Sequence, residues 1–272
     1  MMYRYFSSIA FLLLISTQAL MCYAEDKVEI ATQTVVATAG NDAGVAVVYS
    51  KYTELSFKNL GWKYDEYLNC AKMVLDKAQV AYSMINDDDI EKGVIPEKIK
   101  VIVTLNWRSM SAKQAEQLKK YTERGGKIFA VYQTSFRNEK DEYAADPRNY
   151  LLADIFNADY TSWVGAPPKC TYLKRNVPAD HPLWQGLPEY VHFYRYSSMI
   201  NKTRVVNGDS ILGVWYDEDK NNTSYPAETN SGLILGKNCV YLGEDIFEPE
   251  NGHNPIIQKL TGNIIRFLLS TN

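Results

Sequence analysis

From Gly44 onward the chain alternates short, uniformly apolar runs with longer segments in which apolar residues recur every three or four positions. Gly44 to Tyr49 (GVAVVY), Lys100 to Leu105 (KVIVTL) and Lys127 to Tyr132 (KIFAVY) lead into polar residues, the composition of strands buried on both faces. Between the first two, Leu68, Ala71, Leu75 and Ala78 share one face of a helix predicted over Tyr64 to Gln79. Val80 to Ile85 reads as another short strand, before Asp87, Asp88 and Asp89. Strand and helix alternate through about ninety residues, which is the pattern of crossovers in a parallel sheet covered by helices on both faces.

The best delimited unit runs from Ser111 to Asp159. Ser111, with Gln114 three residues on, makes a capping box, and Ala115, Leu118 and Tyr121 keep helical spacing up to Gly125-Gly126. After the strand that follows, the chain turns polar at once through Gln133, Thr134, Ser135, Arg137, Asn138 and Glu139. Such a loop lies at the carboxyl end of a strand, where open α/β sheets hold ligands. Later, Asp180 is expected to cap a short helix that Pro182 begins and Gly186 ends. Asn207-Gly208 reads as a hairpin turn between RVVN and ILGVWYD, an antiparallel extension of the sheet. A last helix starts near His253, with Ile256, Leu260, Ile264 and Phe267 as its core stripe.

At 272 residues and 46% hydrophobic, the chain is long enough for a full core, and one domain is expected over 44–272 after an extension over 25–43. The first 24 residues read as a signal peptide: Arg4, an apolar stretch from Ile9 to Ile15, and a cleavage site near Ala24. The expectation is a secreted or periplasmic protein with no membrane span in the mature chain; Met21 disfavours lipidation of Cys22. Cleavage there would move the formal charge from −3 to −4, because Arg4 is the only charged residue removed. No basic stripe remains, which argues against a nucleic-acid partner.

Cys70, Cys170 and Cys239 stay in the mature chain and are expected as buried, inert thiols, although an exported protein could form one bridge. His181, His192 and His253 have no second histidine or carboxylate at ligand spacing, so neither a metal nor another cofactor is expected. Asp87 to Asp89 lack the spacing of a calcium loop and read as a solvated turn. Asn201, Asn221 and Asn222 match glycosylation acceptors.

The path from AEQLKKYTERGGKIFAVYQTSFRNEKDE to NYLLADIFNADY, followed by HPLWQGLP and CVYLGEDIF, resembles the class I glutamine amidotransferase-like domain. The version it is most similar to is the β-galactosidase trimerisation domain and related glycoside-hydrolase-associated proteins. The resemblance covers about Gly44 to Leu269 and implies a flavodoxin-like three-layer α/β sandwich with a mainly parallel sheet. Asn157 stands where the family pattern has glycine. Glutamine-hydrolysing members carry a cysteine on a glycine-flanked elbow after the central strand, completed by His and Glu. Here the stretch is Val131-Tyr132-Gln133-Thr134-Ser135, with neither cysteine nor glycine.

The resemblance therefore implies a catalytically degenerate member that binds carbohydrate or serves assembly, as a homo-oligomer or with a protein partner. The 20 Tyr and 5 Trp supply faces for sugar stacking or for an interface, with Trp163 and Tyr172 in the insertion between the two halves. The candidate ligand set is Asn106, Trp107, Tyr132, Gln133, Thr134, Asn138 and Asp245. The alternative is a carbohydrate-active hydrolase using acids at the strand ends, with Glu139 and Asp141 after one strand and Glu244 and Asp245 after another facing one crevice, and Ser135 is the one candidate nucleophile.

Overall fold

The computed structural model describes residues 43–163, 170–197, 199–221 and 227–271. The first half runs β1 (Val45–Tyr49), α1 (Lys51–Asn59), α2 (Tyr64–Lys77), β2 (Ser83–Asn86), α3 (Asp87–Glu91), β3 (Val101–Val103), α4 (Ala112–Glu123) and β4 (Lys127–Val131). Then come α5 (Ala153–Phe156), β5 (Ala158–Trp163), β6 (Cys170–Arg175), β7 (Tyr190–Ser197), β8 (Met199–Thr203) and β9 (Ile211–Tyr216). The chain closes with β10 (Ser231–Gly236), β11 (Cys239–Leu242), α6 (Pro249–Gly252) and α7 (Pro255–Ser270). No helix among the described residues is long and apolar enough to cross a membrane.

The main sheet has the order β2-β1-β3-β4-β11-β10-β9-β6-β7. Neighbours from β2 to β11 pair in parallel, and those from β11 through β7 pair antiparallel. This is the flavodoxin-like three-layer sandwich with an antiparallel extension. Alternate residues of each parallel strand feed opposite faces: Val45, Val101, Phe129 and Val240 pack with α2 and α7, while Ala46, Ile102, Ile128 and Cys239 pack with α3, α4 and α5. The capping box at Ser111 is present, and Gly125 closes α4 at φ +87°. Gly126 lies against the Tyr121 ring, where a Cβ would overlap it. Asn157 takes φ +56° at the end of α5, the left-handed position that asparagine tolerates best after glycine.

Several expectations shift. Helix α1 was not anticipated, because it buries Thr53 and Ser56 beside the single aromatic Phe57 and so shows no apolar stripe. The α7 stripe is Ile257, Leu260, Ile264 and Leu268; Ile256 faces out, one residue off the predicted register. His253 ends α6 instead of opening α7, which Asn254 caps. His181, not Asp180, caps the turn at Pro182–Trp184, its Nδ1 accepting from the Leu183 N–H at 3.3 Å. Asn207 caps the short turn Gly208–Ser210, and no hairpin forms there, because β8 pairs with β5 in a separate sheet while β9 joins the main one. Asp87 is buried and accepts from the Ser50 hydroxyl, so only part of the acidic run is solvated. Asn201 is fully buried, which removes it as a glycan acceptor; Asn221 is exposed and Asn222 lies outside the described residues. Cys70 and Cys239 are free and buried as expected.

Candidate functional site

The loops leaving β1, β3, β4 and β11 meet at the carboxyl edge of the parallel strands. Beyond β3 and β4 the chains keep pairing, with the Arg137 N–H on the Arg108 carbonyl at 2.9 Å and the Met110 N–H on the Arg137 carbonyl at 3.0 Å. This fixes the two loops as one layer. Within it Asn106 Nδ2 donates to Asp245 Oδ2 at 2.8 Å, and Phe247 N–H donates to Asp245 Oδ1 at 3.2 Å. Arg108 donates from Nη1 to Gln133 Oε1 at 2.7 Å and from Nε to Asp141 Oδ1 at 3.1 Å. The Thr104 and Thr134 hydroxyls lie 2.8 Å apart, and Thr134 also donates to the Val131 carbonyl.

These bonds close the layer. Asn106, Trp107, Gln133, Thr134, Ser135, Glu244 and Asp245 are all buried. The Trp107 ring, 1% exposed, lies in the apolar cluster with Met110 and Phe136 and offers no face to solvent. Asn138 is spent on its own loop: its Oδ1 accepts from the Lys140 and Glu142 N–H groups, both at 2.9 Å. Ser135 takes φ +62° and acts as a clip. Its N–H donates to the Trp107 carbonyl at 2.8 Å, its carbonyl accepts from Leu151, and its Oγ accepts from the Leu152 N–H at 3.3 Å.

Two of the histidines lie elsewhere, while His253 ends α6 after the β11 loop. His192 stands on β7, five strands from β4 and so roughly 24 Å along the sheet at ordinary strand spacing. His181 packs on Phe267, its ring 5.6 Å away, and burial lowers the pKa of both His181 and His192. The acids are split as well: Glu139 is exposed, Glu244 is buried, and Asp141 and Asp245 hold Arg108 and Asn106. Among the described residues no three His, Cys, Asp or Glu side chains gather as a metal set.

Tyr132 occupies the first position after β4, at φ +52°. Its N–H donates to the Leu242 carbonyl at 2.7 Å, and its own carbonyl accepts from the Tyr241 hydroxyl at 2.9 Å. With the backbone held on both sides, the half-buried ring meets Trp163 edge to face, centroids 6.4 Å apart. Trp163, 38% exposed, also touches Phe136 and Tyr160, and Phe136 touches Tyr143 and Tyr150. The result is an aromatic rim beside the sealed layer. Of its members, Tyr143, Tyr160 and the neighbouring Arg137 and Arg148 were missed as site residues. The available signal was the density of Tyr, Trp and Arg between Arg137 and Trp163. A cavity of about 340 Å³ lies at the opposite, amino end of β3 and β4, lined by Ile95, Glu97, Lys100, Tyr121 and Arg124.

No protein-family model matches the chain, and no curated protein matches it. Solved structures with the same fold include the β-galactosidase from Bacillus circulans sp. alkalophilus (14% identity, TM-score 0.62), which covers 83% of this chain and 31% of its own. The α-L-fucosidase isoenzyme 2 from Paenibacillus thiaminolyticus is similar over 84% of this chain and 33% of its own, at 13% identity and TM-score 0.58. A ThuA-like protein from Bacteroides uniformis matches over 88% of this chain and 96% of its own, at 14% identity and TM-score 0.55. The chain spans about a third of the length of the two glycosidases and nearly the whole of the ThuA-like protein.

Proposed function

We propose that the chain is an exported, non-hydrolytic saccharide-binding protein with an amidotransferase-like fold, and that the sugar is held at the rim of Tyr132, Tyr143, Tyr160 and Trp163. Tyr132 carries this reading. A ring stands in the first position after β4, within the stretch Val131 to Ser135 that the resemblance sets against the cysteine elbow of glutamine-hydrolysing members. Half-exposed aromatic faces bury the C–H face of a pyranose, while neighbouring polar groups take its hydroxyls. The fold shared with proteins named as β-galactosidase and α-L-fucosidase agrees with a carbohydrate-related role.

Hydrolysis is the weaker reading, because the acids and Ser135 are occupied by structural bonds or lie in different environments. Self-assembly is favoured by one observation, the exposed Leu55, Leu60 and Trp62 on α1 and the turn that follows it. Calorimetric titration of the mature protein with a panel of neutral and acidic oligosaccharides, followed by chromatography of each mixture, tests the proposal. Binding that weakens in Trp163→Ala, with no product formed, supports it. Release of product, or binding indifferent to Trp163, overturns it, and a concentration-dependent mass lost in Trp62→Glu would favour assembly.

A further inference from the structure

We infer that the saccharide is anionic, a uronate or a sulfate ester, and that Arg148, with Arg137 beside it, receives the negative group. The inference rests on the saccharide-binding reading of the same rim. The guanidinium carbon of Arg137 lies 3.7 Å from the Tyr143 ring centroid and that of Arg148 lies 4.0 Å from it. The two guanidinium carbons therefore lie within about 8 Å of each other. Arg148 is exposed and close enough to Tyr160 to act on its hydroxyl, and Tyr160 touches Trp163. Positive charge and stacking surface are therefore continuous.

Several nearby carboxylates are already engaged, while Asp146 is exposed two residues before Arg148. Asp141 Oδ1 accepts from Arg108 Nε, from the Ser56 hydroxyl at 2.8 Å and from the Ser109 hydroxyl at 3.4 Å. Asp159 accepts from Arg204 and Asn149, and Glu142 accepts from Asn138. Among the described residues neither Arg137 nor Arg148 forms an ion pair, and Arg137 Nε is buried with no hydrogen-bond partner. The Arg137 guanidinium donates from Nη1 to the Asp141 carbonyl at 3.3 Å. Arg108, itself paired with Asp141, adds a third cation, and after burial its charge is what most disfavours the protonated form of Arg137, with Asp141 partly offsetting it. An anion at this point would relieve that repulsion. Since the whole chain is net negative, the attraction is local and falls off within a Debye length.

The test uses three trisaccharides against the mature protein: trigalacturonate, neutral galactotriose and a sulfated galactan trisaccharide. Titrations at low and high salt compare the wild type with Arg148→Gln and Arg148→Lys; Arg148 is exposed, so both variants are expected to fold. The inference requires an acidic sugar to bind about tenfold tighter than the neutral one at low salt, with the margin shrinking in Arg148→Gln and in high salt. Comparing trigalacturonate with the sulfated sugar identifies the charged group. Equal binding of neutral and acidic sugars, or no effect of Arg148→Gln, overturns the inference and leaves saccharide binding standing. Binding of none of the three overturns both.

Discussion

Asn106 and Asp245, 139 residues apart, are joined by a 2.8 Å hydrogen bond from Nδ2 to Oδ2. Asn106 follows β3 and Asp245 follows β11, and β4 lies between those strands, so the bond spans the carboxyl end of β4. The buried carboxylate is structural. Asp245→Ala would leave the Asn106 amide and the Phe247 N–H without their acceptor, and should cost about 2–4 kcal/mol in urea unfolding.

The His181 imidazole accepts the Leu183 N–H through Nδ1, which requires the unprotonated ring. Burial lowers its pKa from the ordinary 6.5, so the unfolded chain binds more protons between the two values. Stability should therefore rise with pH through that window and be lost below it. In His181→Asn the cap acceptor is kept and the titration removed, so the unfolding midpoint should lose part of its dependence between about pH 5 and 7.

Asp87 has the opposite sign. Burial, partly offset by bonds from Ser50 and the Tyr52 backbone, raises its pKa above 3.8, so the folded chain holds the proton more tightly. Its contribution is present below the ordinary aspartate value and is lost as pH rises through the raised one. Asp87→Asn keeps an acceptor for the Ser50 hydroxyl, and its stability relative to wild type should improve as pH rises from about 3 to 7. Thermal melts across that range check the direction.

Cys70 sits on α2 directly under Gly252 of α6, where a Cβ would overlap its sulfur. Gly252→Ala should cost about 1–3 kcal/mol through overpacking, and Cys70→Ala in the same chain should recover part of it. A double-mutant cycle measures the coupling. Burial also pushes the Cys70 thiol up to about 12, so alkylation of the native protein at neutral pH should be slow.

Most of the parallel half was legible because β1, β3 and β4 are apolar on both faces and each long helix carries a stripe or a cap, as at Ser111 and Leu118; β2, expected over Val80 to Ile85, is a half-exposed edge strand over Ser83–Asn86. α1 was not, since its buried side includes Thr53, which trades bonds with Ser109, 56 residues away. The site divided along the same line. Position after a strand nominated both Trp107 and Tyr132, yet one ring is sealed in the core and the other reaches the rim. Long-range partners decide this: Ser135 holds the Trp107 carbonyl and Tyr241 holds that of Tyr132. Polar residues such as Gln133 and Asp245 look like a ligand set in the sequence because their partners, Arg108 and Asn106, lie far along the chain.

The most direct measurement is a crystal structure of the mature protein soaked with a saccharide that stabilises it in solution. The account predicts an intact glycosidic bond and a pyranose ring against Trp163 and Tyr132, within about 4 Å of the indole. A cleaved sugar beside Glu244 or Ser135, or an intact one seated in the cavity by Tyr121 at the other end of the sheet, would contradict it.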